Sequence, residues 1–308
     1  MESISSTDLK KHLYIIASDE MEGRETGSEG QKRAGKYMVS EYQKMGVSHP
    51  KAMESFFQTV PQEYLGSRLG KTYPESENIL AFIEGTEKPH EIIVLSAHYD
   101  HVGKNKAGEI FNGADDDGSG TVALMEIAEA FQLAKKAGKA PKRSVLFLHV
   151  TAEEIGLVGS KYYVENPVFP LANTVANLNI NMIGRSDPEN KGKNYVYVIG
   201  SDKLSTSLKK INEASNAATV NLELNYKYDD PNDPEMLYYR SDHYNFAKNN
   251  VPAAFYFDGI HEDYHRPTDT PDKIDYELLK KRTQLVFATA WELANREERI
   301  VVDVKSSQ

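Results

Sequence analysis

At 308 residues, with 40% of them apolar and spread along the whole chain, the sequence is long enough for one large core and too apolar for wholesale disorder. Its 46 acidic against 36 basic residues give a formal charge of −10, which argues against a nucleic-acid partner, because phosphate binding needs a clustered basic face. The absence of cysteine excludes disulfides, thiolate metal sites and a cysteine nucleophile, so any metal must be held by histidine and carboxylates.

The elements follow from hydrophobic period and turn residues. Helices are predicted over 8–17 and 29–45, separated by the loop Glu22-Gly23-Arg24-Glu25-Thr26-Gly27. Residues 78–82 and 92–97 are short β-branched runs with the density of buried strands, and the second ends at His98. A glycine-rich loop leads to a helix over 121–137, and a strand over 143–151 runs into Ala152-Glu153-Glu154. Strand, helix, strand implies parallel pairing. Further strands are predicted over 174–183, 195–199 and 253–257, and further helices over 203–218, 242–249 and 276–297. The alternation predicts an α/β fold: a single doubly wound, mostly parallel mixed sheet with helices on both faces, formed by residues 1–308 as one domain. Two polar, tyrosine-bearing stretches, 61–75 and 226–239, fit the pattern less well and read as insertions covering one face. No apolar run approaches the ~20 residues of a membrane helix. Met1 to Lys11 lacks the apolar core of a secretory signal, although a signal already removed would leave no trace.

The metal-competent residues cluster at predicted strand ends: His98 with Asp100, Asp115 to Asp117, Glu153 with Glu154, and Asn181. Open α/β sheets bind ligands there. His265 comes from a late loop before the last helix. Taken singly, each has an ordinary reading, as a solvated acidic turn, a pair of helix-start carboxylates or a hydrogen-bonded core histidine. Taken together they point to a metal site. Without cysteine, a nitrogen and oxygen donor set suits zinc, manganese or cobalt, and zinc is the expected ion. A carboxylate can bridge two ions. Glu153 and Glu154, being neighbours, point in different directions, so one can bind metal while the other takes a proton from water.

These motifs resemble the co-catalytic di-zinc aminopeptidase family, which includes bacterial leucyl aminopeptidases and aminopeptidase Y and, more distantly, glutamate carboxypeptidase and glutaminyl cyclase. The match runs from Ile16-Ala17-Ser18-Asp19-Glu20-Met21-Glu22-Gly23-Arg24 to Asp272. The resemblance implies a zinc exopeptidase fold, two zinc ions and peptide substrates with a free N-terminus. It implies that His98, in Ser96-Ala97-His98-Tyr99-Asp100, is the first zinc ligand and that Asp100 orients it. Asp116, in Asn112-Gly113-Ala114-Asp115-Asp116-Asp117-Gly118, matches the bridging carboxylate, which a cis peptide bond often follows. Glu153 resembles the general base, Glu154 the ligand of the second zinc, and His265 the final ligand. Tyr239-Arg240-Ser241-Asp242-His243 is similar to a segment near the substrate pocket, which makes Tyr239, Asp242 and His243 pocket candidates.

One position departs from the pattern. Where the family usually has Asp-Met-Ile-Gly, this chain has Asn181-Met182-Ile183-Gly184, so a neutral amide stands for a carboxylate ligand. One of the two zinc positions is therefore expected to be weak. The expected function is a zinc-dependent aminopeptidase. A glutaminyl cyclase-like acyl transferase using one zinc stays open, as does a binding homologue impaired by Asn181. The resemblance favours export; a cytoplasmic location and any oligomeric state are also compatible with the sequence.

Overall fold

The computed structural model describes residues 1–68 and 71–304. Helix α1 (Ser6–Ile16) starts where Ser5 Oγ accepts the backbone N–H of Asp8 at 3.0 Å. Helix α2 (Glu29–Met45) starts where Ser28 Oγ accepts from Gln31 N and stops at Gly46, whose φ of 80° supplies the left-handed turn. The chain continues through strand β1 (Phe57–Val60), the single turn α3 (Gln62–Leu65), the hairpin strands β2 (Ser67–Arg68) and β3 (Lys71–Thr72), and strands β4 (Ser76–Ile83) and β5 (Lys88–His98). Then come α4 (Gly120–Lys136), β6 (Arg143–Val150), α5 (Val158–Glu165), β7 (Thr174–Ile180), β8 (Tyr195–Ile199), α6 (Thr206–Ala218), β9 (Glu223–Asn225), α7 (His243–Ala247), β10 (Ala253–Phe257) and α8 (Tyr276–Asn295).

The large sheet has eight strands in the order β1-β4-β6-β5-β7-β10-β8-β9. Its centre, β6-β5-β7-β10, is parallel, while β4 and β8 flank it antiparallel, so the predicted mixed α/β sheet is present. Alternate side chains serve opposite faces. Ile93, Leu95, Val145 and Phe147 pack into the core that α1, α2, α4 and α8 share, and Val94, Leu146 and Leu148 pack with Tyr163 of α5 and Phe246 of α7. Burial on both faces explains why these strands read as unbroken apolar runs. All four parallel strands deliver their C-terminal ends to one edge.

Several short elements were not predicted: β1, β9, α3 and α5. None exceeds eight residues, too short for a periodic signal. Helix α5 lies tight against β6, since a Cβ on Gly159 would sit 2.1 Å from the Thr151 carbonyl oxygen. The strand expected over 174–183 ends at Ile180, and Met182, at φ 58°, turns the chain away. Of the insertion at 61–75, residues 69 and 70 lie outside the described residues; the rest holds α3 and the hairpin. The insertion at 226–239 contains two 3-10 turns, Lys227–Asp229 and Leu237–Tyr239. Among the described residues, no helix is long and apolar enough to cross a membrane.

Candidate metal centre

The strand ends bring His98, Asp116, Glu153, Glu154 and Asn181 together, and the loop before α8 adds His265. His98 Nε2 is 3.2 Å from Asp116 Oδ1. His265 Nε2 lies 3.0 Å from Asp116 Oδ2 and 3.1 Å from Glu154 Oε2. Asp116 thus stands between the two imidazoles, and the Asp116–Asp117 peptide bond is cis. Asp269 holds this turn from below: its carboxylate accepts the backbone N–H groups of Asp115 at 3.0 Å and of Asp116 at 3.2 Å. Ala152, Met182 and His265 all have φ between 50 and 60°, a left-handed conformation costing about 1 kcal/mol or more each, and all three flank or belong to the site.

Asp100 acts on His98 through its main chain. His98 Nδ1 donates to the Asp100 carbonyl oxygen at 3.0 Å, whereas the carboxylate is 3.7 Å away. A carbonyl can only accept, so the proton sits on Nδ1 and Nε2 is free to bind a cation. The Asp100 carboxylate is instead engaged by Thr26 Oγ1 at 2.9 Å and by the backbone N–H of Glu153 at 3.1 Å. It therefore fixes the turn that carries Glu153.

His101 is a functional candidate that the sequence reading missed. Its Nδ1 is 2.7 Å from Glu154 Oε1 and 3.8 Å from Asp116 Oδ2, and His101, Asp116 and Glu154 offer ligand atoms within 4.8 Å of one another. The available signal was a second histidine three residues after His98. Gly113, at φ 57°, makes room for it, because a Cβ there would fall 2.5 Å from His101 Cδ2.

Electrostatics follow from burial and crowding. Burial opposes ionisation of Asp116, yet His265 and His98 hold it well below the usual carboxylate range. Burial and Asp116 raise Glu154, but His101 and His265 outweigh them and lower it. Burial pushes Glu153 well above its ordinary value against the pull of His98, with Asp242, Glu154 and Asp116 adding to the rise. His265 loses basicity to burial and regains more from Asp116 and Glu154, reaching about 10.

These residues fit a divalent cation. Buried Nε2 atoms of His98 and His265 and Oδ2 of Asp116 lack a well-aligned hydrogen-bond partner among the described residues, although both imidazoles stand about 3 Å from the Asp116 carboxylate. Such donors, left unpaired, cost about 1–3 kcal/mol each, and a borderline cation satisfies nitrogen and oxygen together.

The centre opens into a cavity of about 380 Å³. Asp116, Glu153, Glu154, Asn181 and His265 form one end; Met182, Leu237, Phe255, Phe257, Ile260 and Tyr264 form an apolar wall, with Tyr239 and Arg240 also lining it. Tyr264 stacks on His265 with ring centroids 4.0 Å apart. Asp242 and His243, expected in the pocket with Tyr239, do not line it. Both are fully buried behind its wall, because α7 turns them toward the sheet. Asp242 accepts from Ser160 Oγ at 2.5 Å and is pushed by burial to about 7. His243 stacks on Phe255 at 4.9 Å, and burial lowers it to about 3.

Fold and donor set together define a chain that presents a candidate metal centre at the C-terminal edge of a mixed α/β sheet. The profile of peptidase family M28 matches residues 78–290, and the chain belongs to that family. A probable leucine aminopeptidase of Trichophyton verrucosum (strain HKI 0517) is 31% identical over 223 residues, covering 70% of this chain and 57% of the relative. Aminopeptidase YwaD of Bacillus subtilis (strain 168) is 27% identical over 244 residues, covering 74% and 47%. The chain thus spans about half the length of these curated relatives. Among solved structures, BSAP, a zinc aminopeptidase from Bacillus subtilis, superposes with a TM-score of 0.73 at 17% identity, covering 98% of this chain and 99% of that one. Bacteroides thetaiotaomicron glutaminyl cyclase bound to N-acetylhistamine gives 0.72 at 17% identity, covering 94% and 98%. At such identities the likeness establishes the fold.

Proposed function

We propose that this chain is a zinc-dependent aminopeptidase that removes N-terminal residues, large apolar ones preferentially, from peptides, with the whole chain acting as one catalytic unit. The observation that carries the reading is Glu153 beside the donors of Asp116, Glu154 and His265 in a cavity that is otherwise lined mostly by apolar side chains. His98, Asp116 and Asn181 would hold one zinc ion, and Asp116, Glu154 and His265 a second. Zinc held there supplies Lewis acidity toward a substrate carbonyl and lowers the pKa of water.

The chain's own residues do the rest. Glu153, whose carboxyl burial makes strongly basic, takes a proton from the attacking water and returns it to the leaving amine. The crowded acids that line the cavity attract the protonated α-amino group that distinguishes an exopeptidase substrate. The wall of Leu237, Phe255, Phe257 and Ile260 removes the first side chain from water, at about 25 cal/mol per Å² of apolar surface. Family resemblance also supports export of the native chain, which cell fractionation would check. Acyl transfer and binding without turnover draw support from no particular contact.

Replacing Glu153→Gln should lower turnover of leucyl p-nitroanilide about a thousandfold while leaving zinc content unchanged. Retained turnover would remove Glu153 from its assigned role. Leucyl p-nitroanilide should be preferred over the glutamyl compound at least about tenfold in kcat/KM, and a reversed preference would refute the apolar wall as the specificity pocket.

A further inference from the structure

A row of buried polar side chains runs under the metal centre inside the sheet. Asn177, Asn179 and Asn181 alternate along and just past β7, and the register sets Val94 beside Asn177 and Ser96 beside Asn179. Leu178 and Ile180 point to the opposite face and join the main core. Asn177, Asn179 and Ser96 are fully buried, as is Ser241, and Asn181 is 7% exposed. On this face Val94, Leu146 and Leu148 are apolar. Burying several amides and hydroxyls in such a layer is costly unless each is satisfied.

The hydrogen bonds run from Asn177 to Ser241, and Asn181 meets Ser241 from the other side. Asn177 Nδ2 donates to the Val94 carbonyl oxygen at 3.4 Å and to Ser96 Oγ at 2.9 Å. The Val94 carbonyl can only accept, which fixes the Asn177 amide. Ser96 Oγ, accepting there, gives its one proton to Asn179 Oδ1 at 2.6 Å. Asn179 then has only Nδ2 to offer, and it donates to Ser241 Oγ at 2.8 Å. Asn181 Nδ2 donates to the same Ser241 oxygen at 3.1 Å and faces Glu153 Oε1 at 3.5 Å. In this arrangement the amide nitrogen is spent on Ser241 and Glu153, and the carbonyl oxygen turns the other way. Among the described residues no donor reaches Asn181 Oδ1, and Asn181 lines the cavity beside Asp116.

We infer that this amide and hydroxyl ladder holds Asn181 with its carbonyl oxygen toward the cation position next to His98, and so makes the two cation positions unequal. The inference rests on the metallopeptidase reading above. The position of Asp116, Glu154 and His265 has two carboxylates and an imidazole, with His101 adjacent. The position of His98 and Asn181 shares one of those carboxylates and adds a neutral oxygen, a poorer zinc donor than the aspartate usual there. One zinc ion is therefore firmly held and the other exchangeable. The ladder residues other than Asn181 are positioning residues, since they reach the cation only through its amide.

The test is zinc binding by isothermal titration, with zinc content after dialysis measured by mass spectrometry, on the full chain and its variants. In the unaltered chain two dissociation constants should differ at least about tenfold, and dialysis should leave one zinc per chain. Asn181→Asp should tighten the weak position at least about tenfold. Ser241→Ala should weaken that position severalfold and leave the tight one within about twofold, as outer-shell substitutions do. Ser96→Ala, at a hydroxyl that among the described residues bonds only to Asn177 and Asn179, should act in the same direction by a smaller factor and guards against misfolding at Ser241. Equal positions in the unaltered chain, or Ser241→Ala and Ser96→Ala both leaving the weak position unchanged, would overturn the ladder and leave the peptidase reading standing. Absence of any bound zinc would overturn both.

Discussion

Arg24 and Arg282 are as deeply buried as His98 and Asp116, yet the two pairs are treated in opposite ways. Arg24 donates to four main-chain carbonyls, those of Tyr99, Ile16, Asn112 and Gly113, at 2.7 to 2.9 Å. Arg282 donates to the carbonyls of Tyr195, Ile183 and Arg185 and approaches the Asp258 carboxylate at 3.3 Å. Each guanidinium is a fork that ties several loops to one point. The histidines and acids of the centre are packed as closely, but their facing atoms have only one another. Buried charge that saturates main-chain acceptors holds the fold, whereas buried donors converging on a shared point are arranged for a cation. Arg24 links the two, since the loop it clamps at Asn112 and Gly113 leads directly into Asp115, Asp116 and Asp117.

The contrast breaks most visibly at Arg24. Arg24→Leu would leave four carbonyls without donors at about 1–3 kcal/mol each, so unfolding in urea should show a loss of at least about 4 kcal/mol. Zinc retention should fall with it. A loss under about 1 kcal/mol would mean that the guanidinium is not the clamp described here.

Glu126 sharpens the contrast from a third direction, because it is buried and half-satisfied but far from the cavity. Its Oε2 has no partner among the described residues, and His12 Nε2, itself tied through Nδ1 to Tyr37, stands 3.8 Å from Oε1. Burial raises its carboxyl to about 8 from an ordinary value of 4.5, with Glu129 and Asp8 adding and Lys11 opposing. The folded chain therefore binds the proton that the unfolded chain releases. Stability from this group is full below about pH 4.5 and is lost as pH rises through 8. Glu126→Gln should be near neutral at pH 5 and stabilising by roughly 2 kcal/mol or more at pH 9, read from urea midpoints at the two values. Equal effects at both would show that the carboxyl is ionised throughout.

The strand ends at His98 and Val150 were legible because apolar runs stop there, whereas the run over 174–183 overshot Ile180, since Met182 and Ile183 continue the apolar pattern past the turn. The long helices were legible from their hydrophobic period. The ladder was not, although Asn177, Asn179 and Asn181 repeat every second residue. A period-two polar row reads as a solvent-facing side of a strand, and only the register with Val94 and Ser96, under α7, shows that it is buried. Asp242 and His243 were placed beside the cavity by the resemblance of their segment to one near a substrate pocket, but the chain passes from the 3-10 turn that ends at Tyr239 into α7, which buries both against the sheet. His101 was overshadowed by His98, whose position at the strand end was the stronger signal.

The smallest effect on the metal-free fold should come from the centre itself. Asp116→Asn loses the attraction to His98 and His265 that holds this carboxylate low, and recovers part of it from weaker repulsion at Glu153 and Glu154. Metal-free stability should fall by about 1–2 kcal/mol, well short of the loss at Arg24, since a carboxylate held low by its neighbours stabilises the fold only by the surplus of attraction over repulsion and burial. What the variant should lose is the response to zinc. At about a hundred times the dissociation constant, a ligand bound only by the folded chain adds about 2.7 kcal/mol, seen as a rise in Tm that Asp116→Asn should abolish. If Asp116→Asn instead destabilised the metal-free chain as much as Arg24→Leu, the imidazoles and acids would be a structural ion-pair network. The distinction between charges that hold the fold and charges arranged for a cation would then fail at its central residue.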